Sequence, residues 1–109
     1  MRRRLLTIWT NPLFRESMRL ILDHPDVEWV GSSADYGAAR ELARELQPDI
    51  IVVEEIDGSM PACVLEVLEE QELQVRLVGV NLVDNRTHIY RCEELLVATT
   101  DELVRLVLQ

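Results

Sequence analysis

Short apolar runs alternate along this chain with stretches in which apolar positions recur every three or four residues. The run that organises the rest is Pro48-Asp49-Ile50-Ile51-Val52-Val53-Glu54-Glu55, where four consecutive β-branched residues leave on two acids. Such a run predicts a central parallel strand buried on both faces. Ligands and chemistry in open α/β sheets gather outside the carboxyl ends of the strands, so an active site here would include Glu54 or Glu55.

Before that run, Arg4 to Trp9 predict a first strand. Asn11 offers an N-cap and Pro12 the favoured first helical position, for a helix with Phe14, Met18, Ile21 and Leu22 on one face. Pro25 stops this helix near His24. Glu28 to Ser32 predict a short second strand, and Asp35 caps a helix turning Ala39, Leu42, Ala43 and Leu46 towards the sheet. Beyond a loop at Ile56-Asp57-Gly58-Ser59-Met60, Pro61 opens a third helix through about Leu73, and Val75 to Val80 predict a fourth strand. The βαβαβαβ alternation is that of a parallel sheet wrapped by helices through right-handed crossovers.

From Leu82 the pattern changes. Asp84-Asn85 reads as a tight turn, Thr87 to Arg91 as an extended segment, Cys92-Glu93-Glu94 as a second turn and Leu95 to Ala98 as another strand. Thr99 with Glu102 three residues on fits a capping box for a last helix carrying Leu103, Leu106 and Val107. The expected fold is one α/β domain over residues 1–109. An antiparallel hairpin over 82–98 stands where another crossover helix would come, and a C-terminal helix follows over 99–109.

Composition narrows the function. A chain of 109 residues supports one core but not two, and 48% apolar with 28% charged residues is the balance of a globular protein. Twenty acids against eleven bases give a net charge of −9, which repels phosphate backbones, so nucleic acid is not an expected partner. The apolar run after Arg2-Arg3-Arg4 is broken by Thr7 and by Thr10-Asn11-Pro12, too short for a signal peptide, and no segment has the length to cross a bilayer. A cytoplasmic protein with no membrane partner is expected. Cys63 and Cys92 sit in no metal-binding spacing and read as reduced thiols in the core, and every basic residue is arginine.

Three pieces taken in order carry a resemblance: Asn11-Pro12-Leu13-Phe14-Arg15-Glu16, then Val30-Gly31-Ser32-Ser33-Ala34-Asp35, then Pro48-Asp49-Ile50-Ile51-Val52-Val53 followed by an acid. Over roughly residues 4–81 the chain resembles the receiver domains of two-component response regulators. The resemblance implies a flavodoxin-like three-layer α/β/α sheet, in agreement with the periodicity. It also implies a phosphoacceptor site, and that site is degenerate here. Trp9 and Thr10 stand where the magnesium-holding acidic pair would be. Magnesium demands hard oxygen ligands in near-octahedral geometry, and an indole supplies none. Glu54, one methylene longer, replaces the phosphoacceptor aspartate, a displacement worth on the order of a hundredfold in rate. Asn81 takes the place of the hydroxyl residue closing the fourth strand, and no lysine exists to contact an acyl phosphate. The resemblance implies a switching and pairing face made by the fourth helix, fifth strand and fifth helix; it is not carried over, because a hairpin is expected in place of the fourth helix.

Each notable side chain also has a plain reading. Glu54 is either a frozen mimic of a phosphorylated aspartate or an acid at a strand end, hydrated or held by amides of the next loop. Glu55, Asp57 and Asn81 complete the vestigial pocket; with Glu54 the two other acids could hold a cation, but the partners expected after the first strand are missing. Trp9 reads as packing in the vacated metal space, and Trp29 as half-buried on an outer strand or as an exposed anchor. His24 lies at a helix C-terminus, and His88 and Tyr90 read as a solvent-facing stripe. The expected function is a non-catalytic, phosphorylation-independent signalling or protein-interaction module that needs no cofactor. An unpaired edge strand invites another chain, so a homodimer or docked protein using 82–98, with Leu95, Leu96 and Val97, is expected. The alternatives are an atypical phosphoacceptor in a phosphorelay and a small-molecule binder above the strand ends.

Overall fold

The computed structural model describes residues 2–70, 74–84, 86–91 and 99–108. Five strands form one sheet in the order β2-β1-β3-β4-β5: β1 (Arg3–Ile8), β2 (Val27–Ser33), β3 (Ile50–Glu54), β4 (Arg76–Asn81) and β5 (Arg86–Arg91). The first four are parallel, and β5 runs antiparallel to β4 from Asn81 opposite Arg86 to Arg76 opposite Arg91. The extended segment expected at Thr87 to Arg91 is therefore present as β5, antiparallel to β4. The second turn and the expected strand at Leu95 to Ala98, with Leu95, Leu96, Val97 and Cys92, lie outside the described residues.

Helix α1 (Pro12–Ile21) starts as its sequence dictates, with Asn11 Oδ1 accepting from the Leu13 amide at 2.9 Å. It ends at Ile21 rather than near His24. Leu22 leaves helical geometry, and His24 joins a turn in which its carbonyl accepts from Val27 and its Nδ1 from the Asp26 amide. Asp35 caps a 3-10 turn (Tyr36–Ala38) that runs into α2 (Ala39–Leu46). Helix α3 is one turn, Ala62–Leu65, continued by a 3-10 segment at Glu66–Glu69, rather than one α-helix through that region. Helix α4 (Thr100–Leu108) follows Thr99, whose Oγ1 accepts from the Glu102 amide at 3.2 Å.

The two sheet faces are covered differently. On one, Leu6, Ile8, Ile51, Val53 and Leu77 are fully buried beneath α2 and α3. Small Ala39 and Ala43 let α2 sit close, and a Cβ at Gly31 would stand 2.9 Å from Leu46 Cδ1, so a side chain there would make Leu46 shift. On the other face, Leu5, Phe14, Met18 and Val52 form a smaller cluster under α1 alone. At the amino ends of the strands Asp49 ties three of them together: its carboxylate accepts from the Arg4 amide, its amide donates to the Arg4 carbonyl and its carbonyl accepts from Arg76. The Arg4 guanidinium then donates to the carbonyls of Leu46 and Gln47, closing the C-terminus of α2.

Arg40 and Arg44 of α2 both bind the Glu70 carboxylate after the 3-10 segment. Arg44 first, then Arg40, holds that carboxyl below the usual range. A lowered acid stabilises the fold above its unfolded pKa, and the gain is lost as pH falls through the folded value. Glu70→Gln is predicted to lower the melting temperature at neutral pH, with the difference from the parent protein closing as pH drops below the carboxylate range; thermal melts across pH check it.

Candidate functional site

The carboxyl ends of β1, β3 and β4 bring Trp9, Thr10, Glu54, Glu55 and Asn81 to one edge of the sheet. Glu54 turns towards the loop between β1 and α1. Its Oε1 accepts from the amides of Thr10 and Asn11, each at 2.9 Å, and from the Thr10 hydroxyl at 3.2 Å. The donors come from the first loop, not from the loop after β3. The carboxylate thus sits at the start of α1, where the helix dipole and free amides favour an anion.

Following the amides through this loop shows how completely they are used. Trp9 N donates to the Ser33 carbonyl, Thr10 and Asn11 to Glu54, Leu13 to Asn11 Oδ1, and Phe14 and Arg15 to the Asn11 carbonyl. Pro12 has no N–H. Every backbone donor from Trp9 to Arg15 therefore has a partner within the protein.

Glu55 points the other way. Its side chain is wholly buried, with His88 Nδ1 of β5 at 2.9 and 3.1 Å from its two oxygens. Gly79 makes this possible: a Cβ there would lie 2.9 Å from Glu55 Cγ and Cδ. Tyr90, two residues beyond His88, packs half-buried against the same core, and burial first, then the Glu55 carboxylate, pushes its phenol pKa up. His88, though bonded to Glu55, keeps 44% of its side chain exposed, whereas Tyr90 is half-buried and departs from a solvent-facing stripe. On β5 it is the intervening Ile89, 62% exposed, that faces out. Alternation along the strand sets this, and the buried acid opposite decides which face His88 takes.

The remaining pocket residues do not converge. Asp57 is exposed in a tight turn at φ 52°, and Asn81 Oδ1 accepts from the Val83 amide. Trp9 packs against the α1-face cluster with the Arg15 guanidinium 5.7 Å from its ring, so amides rather than an indole close off Glu54. Trp29 is half-buried on β2, the outer strand, beneath Arg19. Cys63 is a half-buried free thiol.

Tyr36 is a site residue that sequence reasoning missed. Its hydroxyl donates to the Glu54 carbonyl at 2.7 Å, fixing the end of β3. Burial raises its pKa most; the hydrogen bond with Thr10 opposes this, and the Glu54 charge adds to it. Its one available signal was position, an aromatic just past the carboxyl end of a strand.

A divalent cation is the group the fold would imply here, and these residues do not fit one. Two N–H groups point at Glu54 Oε1, Glu55 is turned into the core, and among the described residues no three potential ligands cluster. Glu54→Ala is predicted to destabilise by about 1–2 kcal/mol by freeing the loop amides, and His88→Ala by about 1–3 kcal/mol by leaving Glu55 buried without its partner. Urea unfolding measures both.

No known family model matches the chain, and no curated protein does. Solved structures do. A signal receiver domain assigned to the response regulator NarL of Mycobacterium tuberculosis superposes with a TM-score of 0.62 at 28% identity, over 73% of this chain and 66% of that one. A LuxR-family two-component response regulator from Aurantimonas gives 0.61 at 26%, over 75% and 60%. A mutant of the anti-anti-sigma factor PhyR from Bartonella quintana gives 0.59 at 13%, over 79% and 36%, a likeness of fold alone. The chain thus spans about two thirds or less of each of these three proteins. Its fold is that of a response-regulator receiver domain, flavodoxin-like and with a five-stranded, mostly parallel sheet.

Proposed function

We propose that this receiver-like domain signals by binding protein, without phosphorylation and without catalysis. The observation that carries the reading is the Glu54 carboxylate, neutralised by the Thr10 and Asn11 amides and the Thr10 hydroxyl. Transfer of a phosphoryl group is almost entirely positioning and charge stabilisation, supplied by metal ions, cations and free donors around the moving oxygens. The backbone donors of the first loop are already engaged, and the chain has no lysine to add a cation. Glu54 instead holds the start of α1 through these bonds. That fixes the first loop in one state, where a phosphorylated receiver would need two.

Binding in place of chemistry is also favoured by the altered end of the sheet. Among the described residues the antiparallel strand β5 is the edge of the sheet beside β4, and edge strands are ready templates for another chain. The surface around residues 82–91 is the proposed region of contact, and absence of a membrane-spanning helix among the described residues is consistent with a partner in solution.

The test is chemical. Incubation with acetyl phosphate and Mg²⁺, read by intact mass, is expected to leave the protein unmodified. Glu54→Asp is expected to stay unmodified too, because restoring the shorter acid restores neither a metal site nor a cation. A stable phosphorylated species at position 54 in either protein contradicts the proposal.

A further inference from the structure

The sheet edge at β2 is flanked by two like-charged pairs of opposite sign, one on each face. On the α1 face, Arg15 and Arg19 stand one helical turn apart, with the Arg15 guanidinium 5.7 Å from the Trp9 ring and the Arg19 guanidinium 5.4 Å from the Trp29 ring. Trp29 belongs to β2, and the Trp9 amide bonds to Ser33 at the end of that strand, so both arginines lie on the β2 side of α1. Arg15 has its neighbour Glu16 3.9 Å away, and among the described residues no carboxylate pairs with Arg19.

On the other face it is α2 that reaches this edge, where Leu46 lies over Gly31 of β2. Its Ala39 and Ala43 are buried against the sheet, and at about 100° per residue Arg40 and Arg44 come next, on the side of α3, where they bind Glu66 and Glu70. Glu41 and Glu45 come round on the side away from α3, towards β2. Both are exposed, and among the described residues neither has an ion-pair partner. Like charges one turn apart on a helix repel. These two pairs would neutralise each other, but within one chain the sheet lies between them.

Trp29, half-buried between the two flanks, is of the residue type around which protein contacts form. The strand itself is a poor template for strand addition. Its register with β1 slips between Leu5 and Leu6, leaving Val30 as an extra residue, and a bulge of this kind blunts a sheet edge. The contact this edge suits is one between helix flanks.

We infer that the β2 edge is a dimer interface, occupied by a second copy of this chain turned about a two-fold axis that runs along the strands in the plane of the sheet. This rotation keeps the strand direction and exchanges the two faces, so the α1 flank of each copy meets the α2 flank of the other. Arg15 and Arg19 then face Glu41 and Glu45 twice over, as an isologous contact requires. A two-fold axis along the sheet normal would instead set arginine beside arginine and glutamate beside glutamate. The β2 edge is four strands away from β5, so the contact leaves residues 82–91 free and is independent of the reading given to them above.

Charge reversal tests it. Sedimentation of the parent protein at micromolar to submillimolar concentration is expected to show a dimer that weakens as salt is raised. Arg15→Glu with Arg19→Glu in one variant, and Glu41→Arg with Glu45→Arg in a second, are each expected to weaken it at least about tenfold with an unchanged far-ultraviolet spectrum, because each sets like charges together. Mixed in equal amounts, the two variants are expected to form a heterodimer as tight as the parent dimer, since both contacts are again of opposite sign. Arg19→Glu and Glu45→Arg, at exposed positions, make a second such pair that spares the half-buried Arg15. A monomer throughout the range, a dimer indifferent to both reversals, or one that each reversal abolishes and the mixture does not restore overturns the inference.

Discussion

One carboxylate, met by two backbone amides and a hydroxyl, sets the character of this domain. Glu54 leaves the central strand at the place where an α/β sheet exposes its chemistry, and crosses to the start of α1. The additional methylene relative to aspartate is what gives it the reach. The contact costs little, because an anion at a helix start is stabilised by the aligned peptide dipoles. It also completes the accounting of the first loop, leaving no backbone donor between Trp9 and Arg15 for an outside ligand. At this strand end an acid is held among amides.

The neighbouring residue shows the same logic in the core. Glu55 is buried where it can bond only His88, and His88 is available because β5 runs antiparallel beside β4. Gly79 leaves room for the acid, and Tyr90 covers the same region. The changed topology at the end of the chain and the buried acid thus support each other: a parallel last strand would have to present its own donor from a different register.

Much of the fold was legible in the residues. Local chemistry announces the Asn11-Pro12 start of α1, the Asp35 cap, the β-branched run of β3 and the Thr99 cap of α4, because each is decided by near neighbours. The break at Leu82 and the extended segment that follows it were legible for the same reason. The resemblance to receiver domains agrees with the solved structures that superpose on the chain. What could not be read were pairings decided across the sheet. Glu54 meets Thr10 and Glu55 meets His88 over separations of 44 and 33 residues. Periodicity shows that Glu54 and Glu55 point to opposite faces, but not what waits there. The short α3 escaped notice because Ala62 to Leu73 has helical spacing while Glu66–Glu69 tightens into a 3-10 turn instead.

The central claim is that amides stand in for a metal at Glu54. Its most direct test is an amide NMR titration of the protein with Mg²⁺, following Thr10, Asn11 and Glu54. The account predicts that these resonances stay in place up to millimolar Mg²⁺ apart from the uniform drift of ionic strength. Saturable shifts confined to these residues, reversed by a chelator, would contradict it.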